Sequence, residues 1–458
     1  MAKKETWKFP RAFWVANTVE LFERAAYYGV FIVITLYLSR IFGFGDIEAA
    51  AIAGVFQAML FLLPTFAGAF ADRIGFRKSL LLAFALLTLG YGGMGLLPTF
   101  FESVGLVKYG ETTLFNGLET SSQKYAIIPV LALIVLGGSF VKAVITGTVA
   151  KETSKENRAR GYSIFYTMVN IGAFSGKTVV EPLRDAMGNT GLIWISYFSA
   201  FMTLIGLVIV FLIFKSSHHQ GEGKTIGEIF NGMVKVISNA RLIILIVIIT
   251  GFWMVQHQMY ATMPKYVLRL AGEGAAPGWY ANVNPLVVFV TVGFVTQFMR
   301  KRTALFSMTA GMFIMPVSAV FMAYGNLLHG NILGMHPVAF MMVVGIAFQG
   351  LAETFISPRY LEYFSLQAPK GEEGMYLGFS HLHSFLSSIF GFIMSGVLLD
   401  RYCPEPSLFA SREEWAAAAS NAHYIWYYFV GIALISAFAL IIYGQVVKRI
   451  DRKKQIAN

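Results

Sequence analysis

Five charged residues lie in stretches otherwise apolar enough for a bilayer interior. Glu20, Glu23 and Arg24 fall within ELFERAAYYG, Lys142 within GGSFVKAVITG and Glu353 within GLAETFISP. A charge at bilayer mid-depth costs about a few kcal/mol or more, so such groups face a protein interior or a water-filled cavity. Residues three and four apart share a helix face, so Glu20, Glu23, Arg24, Tyr27, Tyr28 and Phe31 form one stripe. The Glu20–Arg24 spacing allows an ion pair along the helix. Two carboxylates and one guanidinium cannot pair one to one, and the surplus carboxylate is a candidate proton carrier. The alternative is a self-neutralising cluster that locks helices together, but burying charges is a poor route to stability. Buried Lys and Glu respond readily to protons, which brings in Lys142 and Glu353.

The elements that hold these residues must be membrane spans. The chain has 458 residues, 56% hydrophobic and 13% charged, with a mean hydropathy of +0.61. A soluble domain averages about 25% charged residues. A spanning helix needs about 20 apolar residues. Twelve runs qualify: 12–40, 47–71, 79–98, 127–150, 161–184, 190–214, 241–264, 277–299, 304–325, 337–360, 374–399 and 422–447. Their continuity argues against the alternating pattern of a β-barrel. The start, MAKKETWKFPR, reads as lacking a cleavable signal peptide.

Most Lys and Arg fall on one side of the membrane when both termini are placed in the cytoplasm. The outer segments then hold only Arg40, Lys108, Lys124, Arg184, Lys265, Arg269, Arg401 and Arg412, while Arg24, Lys142 and Lys177 lie within spans. The net charge of +11 is therefore a membrane signature, and no nucleic-acid partner is expected. Residues 215–240 form a polar linker with a short interfacial helix, IGEIFNGMVKVI. This divides the chain into a six-helix bundle over 1–214, the linker, and a second six-helix bundle over 241–458. Six plus six spans suggest two halves rocking about a midplane site.

The remaining chemistry is sparse. The single cysteine, Cys403, excludes an internal disulfide. His218–His219 reads as a solvent-exposed pair, not a metal site. His381 and His383 are two apart and point to different faces. Lys177 and Glu181 read as a structural pair. There is no G-x-x-x-x-G-K-[ST] run for ATP and no H-E-x-x-H zinc motif. No nucleophile or metal cluster points to an enzyme, and no cofactor is expected.

GAFADRIGFRKS at 68–79 resembles the signature loop of the major facilitator superfamily, with Asp72 and Arg73 at a helix end and Gly75 at a tight turn. The E-x-x-E-R-x-x-Y-Y-G stripe then resembles the first-helix motif of the proton-coupled oligopeptide transporter family within it. Five further elements follow in that family's order. They are GGSFVKAVITG with Lys142, GYSIFYTMVNIGAF with Tyr166 and Asn170, FWMVQHQ with Trp253, NVNPL with Asn284, and GLAETFISP with Glu353.

The resemblance implies an all-α, twelve-helix major facilitator fold and proton-driven inward transport of di- or tripeptides or similar small zwitterions. It implies Arg24 and Lys142 near the solute carboxylate and Glu353 near its amine. Tyr27, Tyr28, Asn170, Trp253 and Asn284 would line the pocket, and Glu20 or Glu23 would take the coupled proton, driven by the proton gradient. A monomer in the cytoplasmic membrane is expected, with lipid around it.

The sequence departs from the family in the first, second, seventh and eleventh spans, beginning with Ala25 where the first-helix motif usually has Phe. Phe31 stands where an arginine is usual, and His257 where a seventh-span carboxylate is usual. His257 could titrate in its stead or act as a neutral hydrogen-bonding residue. Phe61 replaces a pocket tyrosine, and Gly378 lies near the place of an eleventh-span tryptophan. These departures keep open a major facilitator transporter of another solute, uncoupled or exporting. A non-transporting sensor or a membrane enzyme is the reading from a different class.

Overall fold

The computed structural model describes residues 8–109, 118–154, 157–215, 225–368 and 373–457. Among these the chain is helical, and the only β pairing is an isolated bridge between Ile332 and Met335. Among the described residues nine helices are long and apolar enough to cross a membrane, or eleven spans if each of two bent pairs forms one. The expected fifth span, Arg158–Met187, is a 30-residue helix. It is long enough to cross, but the buried Lys177, Glu181 and Arg184 make it too polar to count among them.

Several expected continuous spans are broken. The run at 12–40 is two helices, Arg11–Phe31 and Ile34–Phe42, bent by 54°. The break falls in the β-branched sequence Ile32-Val33-Ile34, which forms helix poorly. The run at 47–71 is Asp46–Leu62 and Pro64–Ile74, bent by 47°. Pro64 has no N–H to give and clashes with the preceding turn. The seventh span is interrupted at Thr262, after which Met263–Ala271 forms a separate helix, whereas Ala240–Ala261, Pro277–Met299 and Tyr376–Tyr402 run as single spans through His257, Asn282 and His381.

The chain forms two compact units, Met1–Gly45 with Met59–Ile229, and Asp46–Ala58 with Phe230–Asn458. In the first unit, the helix carrying Glu20, Glu23 and Arg24 packs on Arg158–Met187 through Gly172 and Gly176. A Cβ at Gly172 would meet the Arg24 side chain at 2.7 Å, and one at Gly176 would run into the backbone of Ala25. These two glycines form a G-x-x-x-G step, the pattern that lets helix backbones approach closely in lipid. Ser199 Oγ then donates to the Ala26 carbonyl at 2.9 Å, fixing Thr190–Ile213 against the same helix.

In the second unit, Gly350 does similar work for Glu353. A Cβ there would meet the Asn284 carbonyl oxygen at 2.9 Å. The helix expected within the linker spans Ile226–Ser238. It starts with a capping box: Thr225 N donates to Glu228 Oε2 at 2.6 Å, and Glu228 N to Thr225 Oγ1 at 3.2 Å. His218, His219 and the GEGK stretch lie outside the described residues.

Four cations expected in outer segments, Arg40, Arg184, Lys265 and Arg269, are instead buried on α-helices. Arg40 lies in Ile34–Phe42 and donates to Asn189 Oδ1 at 3.2 Å. Lys265 and Arg269 lie in Met263–Ala271, which continues the seventh span. A run-based boundary placed them outside because it cannot see that a helix continues past a break.

Candidate functional site

In the first unit Glu20, Glu23 and Arg24 are all buried. Arg24 Nε lies 3.2 Å from Glu20 Oε1, and Arg24 also donates to Glu23 through Nε and a terminal nitrogen. One guanidinium thus serves two carboxylates, as the charge count requires. Glu23 takes the closer, two-nitrogen grip. Glu20 Oε2 is buried and has no hydrogen-bond partner among the described residues. An ionised oxygen left so is costly, and a proton on it removes the charge.

The aromatic end of the stripe continues upward from Arg24. Its guanidinium carbon lies 5.3 Å from the Tyr27 ring centroid, and Tyr27 stacks on Phe31 at 5.0 Å. The position where the family usually has a cation is therefore filled by ring packing. Tyr28 is only half-buried, with the Lys177 ammonium 5.2 Å from its ring. Lys142 is partly buried, donates to the Leu60 carbonyl at 3.1 Å and sits 4.6 Å from the Phe61 ring. Phe61 so meets Lys142 through its face instead of a hydroxyl. Asn170, mid-helix, donates back to the Tyr166 carbonyl one turn earlier at 2.9 Å. Glu181 pairs with Arg184 at 2.7 Å. At the signature loop, Asp72 meets Lys151 at 3.5 Å, Arg73 is exposed, and Gly75 adopts φ +88°.

In the second unit Glu353 Oε2 accepts from Gln256 Nε2 at 3.0 Å and Asn284 Nδ2 at 3.3 Å. Glu353 and Asn284 are thus neighbours, and Gln256 joins them. Trp253 lies beside two histidines, 5.8 Å from His257 and 5.4 Å from His383, ring centre to ring centre. His257 is buried between Trp253 and Phe392, with Nδ1 3.4 Å from the Ser387 hydroxyl. His383 is buried and His381 exposed, so their two-residue spacing does separate their faces. His383 Nδ1 lies 2.6 Å from the Ser380 carbonyl. A carbonyl can only accept, so Nδ1 carries the proton and Nε2 accepts from Ser384 Oγ at 2.9 Å.

Motif reading missed a second buried ion cluster. Asp46 accepts from Lys265 Nζ at 2.7 Å and from both terminal nitrogens of Arg269 at 2.8 Å. Arg269 also donates to Glu405 and to the Cys403 carbonyl. The available signal was Lys265-x-x-x-Arg269 in MPKYVLRLA, an i,i+4 cation pair on one helix face. Among the described residues no three His, Cys, Asp or Glu side chains come together as metal ligands.

The model of the Major Facilitator Superfamily matches residues 16–335. A dipeptide and tripeptide permease A of Proteus mirabilis (strain HI4320) is 20% identical over 83% of this chain and 85% of its own length. The multidrug resistance protein MdtH of Photorhabdus laumondii subsp. laumondii is 22% identical over 82% of this chain and 83% of its own. A crystal structure of the peptide transporter POT in complex with sulfate matches with a TM-score of 0.71 and 19% identity. That match covers 97% of this chain and 95% of that one.

Proposed function

The chain belongs to the major facilitator superfamily, and from that premise we propose that it is a proton-coupled importer of di- and tripeptides or similar small zwitterions. It is a multi-pass membrane transporter, not an enzyme. The peptide reading is supported by the likeness to peptide permeases along most of the chain and by six motifs in order. The observation that carries it is the buried cluster around Arg24, where one guanidinium pairs with two acids and Glu20 Oε2 has no hydrogen-bond partner among the described residues.

In this reading Arg24 and Lys142 take the solute carboxylate and Glu353 its ammonium group. Tyr27, Tyr28, Asn170, Asn284 and Trp253 give the pocket its shape. Glu20 takes the coupled proton, while Glu23 keeps the two-nitrogen grip of Arg24. When Arg24 turns toward a solute carboxylate, Glu20 loses its ion pair with Arg24, and protonation becomes its way to stay buried. His257 is a second proton-binding candidate and Glu353 a third. Residues 1–214 and 241–458 act as the two moving halves, with 215–240 as the link and Asp72–Arg73 at a cytoplasmic turn. The protein works as a monomer in the cytoplasmic membrane, surrounded by lipid, with both termini inside and the proton gradient as its driving force.

The test is uptake of labelled L-alanyl-L-alanine into vesicles reconstituted with the pure protein. An inwardly directed proton gradient is expected to drive accumulation, and Arg24→Ala and Glu353→Gln each to abolish it. Uptake indifferent to the gradient rules out coupling, and uptake unchanged in both variants rules out the assigned roles. The likeness to a multidrug resistance protein, with Phe31 and His257 at departing positions, favours export of another solute as the second reading. Proton-driven efflux without dipeptide uptake would select it.

A further inference from the structure

Two buried tyrosine hydroxyls in the first unit have carbonyl partners. Tyr37 donates to the Met94 carbonyl, and Tyr109 to the Ile41 carbonyl at 3.0 Å. A third, Tyr91, is 1% exposed, and its hydroxyl has no hydrogen-bond partner among the described residues. A phenylalanine would fill the same space without that cost. The place of Tyr91 is set by the stripe Phe84, Thr88, Tyr91 and Gly95, which share one face of Phe76–Ser103. That face packs on Thr190–Ile213. A Cβ at Gly206 would run into the Phe84 ring, Thr88 Oγ1 donates to Thr203 Oγ1 at 3.1 Å, and a Cβ at Gly95 would meet the Tyr197 ring at 2.7 Å. The contacts climb one helix as they descend the other, so Tyr91 stands level with Ser199. Ser199 Oγ donates to the Ala26 carbonyl at 2.9 Å, one turn from Glu23. The charges of Glu23 and Arg24 accordingly reach Tyr91, and Tyr91 in turn acts on Tyr27.

An unmet donor beside an acid matters when the acid's own partner leaves. Both Arg24 nitrogens that hold Glu23 meet the same oxygen, Oε2. A solute carboxylate that draws Arg24 away strips Glu23 of both bonds together. We propose that Tyr91 is a positioning residue whose hydroxyl then donates to Glu23 in the guanidinium's place, which releases Arg24 to the solute and leaves Glu20 to take the coupled proton. The inference rests on the reading above in taking Arg24 as the group that binds the solute carboxylate. Tyr91 keeps its own proton throughout, and only hydrogen bonds are exchanged. A neutral phenol serves here because it donates without competing with Arg24 for the solute. The ionisable groups around this point are Glu20, Glu23, Arg24, Tyr27 and Tyr28 on the first helix and Lys142 on Ile127–Lys151, with Lys177 beyond Tyr28. Thr190–Ile213 contributes Ser199 and Thr203, which do not titrate.

The test is a thermal-shift titration of the full-length protein at pH 7.5 and pH 5.5, with L-alanyl-L-alanine and with sodium propionate, a carboxylate that is no peptide. Tyr91→Phe keeps the packing and removes the donor, so its melting temperature without ligand should not fall. It should weaken the ligand about tenfold at pH 7.5, the worth of one hydrogen bond to a carboxylate. At pH 5.5 a proton can take the hydroxyl's place on Glu23, and the loss should shrink to about twofold or less. In Glu23→Gln there is no carboxylate to hold, so adding Tyr91→Phe should change nothing further. An equal loss at both pH values is what a merely structural role gives, and it overturns the proposal. So does a Tyr91→Phe effect that persists in Glu23→Gln, or a lowered melting temperature, which would show the hydroxyl to be bonded already. A protein that answers propionate with this pH pattern but not the dipeptide keeps the role of Tyr91 and loses the peptide reading. One that binds the dipeptide equally well with Tyr91 or Phe keeps the peptide reading and loses the proposal. Response to neither ligand overturns the release of Arg24, and the proposal with it.

Discussion

The first unit buries Glu20, Glu23 and Arg24; the second buries Asp46, Lys265 and Arg269, with the partly covered Glu405. The residue types match, but the accounting does not. Around Asp46, both carboxylate oxygens accept from cations, and Arg269 uses its fork on Asp46, Glu405 and the Cys403 carbonyl. Around Arg24, one cation is shared by two acids and Glu20 Oε2 is left over. A satisfied network resists change, because moving any member strands a charge. An under-satisfied one has a cheap alternative state, reached by a proton or a ligand. Buried charge alone therefore does not mark a working site. The unmet hydrogen bond does.

This contrast can be broken by mutation. Asp46→Ala strands two buried cations and should cost about 3–5 kcal/mol, read as a lowered melting temperature of the purified protein. A melting curve that does not move would mean that the Asp46 network is no clamp. Gly176→Val pushes a side chain into the backbone of Ala25 and should cost about 1–3 kcal/mol. It should also lower uptake, since the helix that carries Arg24 must shift. Normal melting and normal uptake together would deny the close helix contact a role.

Glu20→Gln should change stability by about 1 kcal/mol or less, yet abolish accumulation driven by a pH gradient while sparing solute exchange at equal pH. Wild-type accumulation in this variant would move the proton elsewhere, to Glu23, His257 or Glu353. The smallest effect is at Cys403. Burial pushes its thiol up to about 12, so at pH 8 it is protonated and a maleimide should not label the folded protein. Labelling should appear in Asp46→Ala, where the network holding the Cys403 carbonyl is gone. Rapid labelling of the unaltered protein would show the Asp46 region to be open.

Much of this was legible beforehand. Charges in an apolar run located Glu20, Glu23 and Arg24, because lipid makes such residues rare, while Lys142 and Glu353 stood out through the motifs that resemble the family. The linker helix was read from its apolar spacing and is found at Ile226–Ser238. Hydropathy runs located the spans but not their breaks, since average apolarity is the same on either side of a kink. For that reason Lys265 and Arg269 were read as loop residues. The partnership of Gln256 with Glu353 was also out of reach, because it joins residues 97 apart in sequence. G172-x-x-x-G176 could have been read as a close-packing step, and the motif match that overlaps Gly172 drew attention to Asn170 instead.

The sequence by itself determined that the chain lives in a membrane, which helices cross it and which charged residues need a reason to be there. Those are consequences of transfer free energy and helical periodicity, both local properties. The tertiary structure decided which charges are satisfied. Hydrogen bonding depends on ångström-scale placement of groups far apart in sequence, and no local pattern encodes it. Arg24 and Arg269 look alike on their helices. Only the fold gives one a surplus acid and the other a full set of partners.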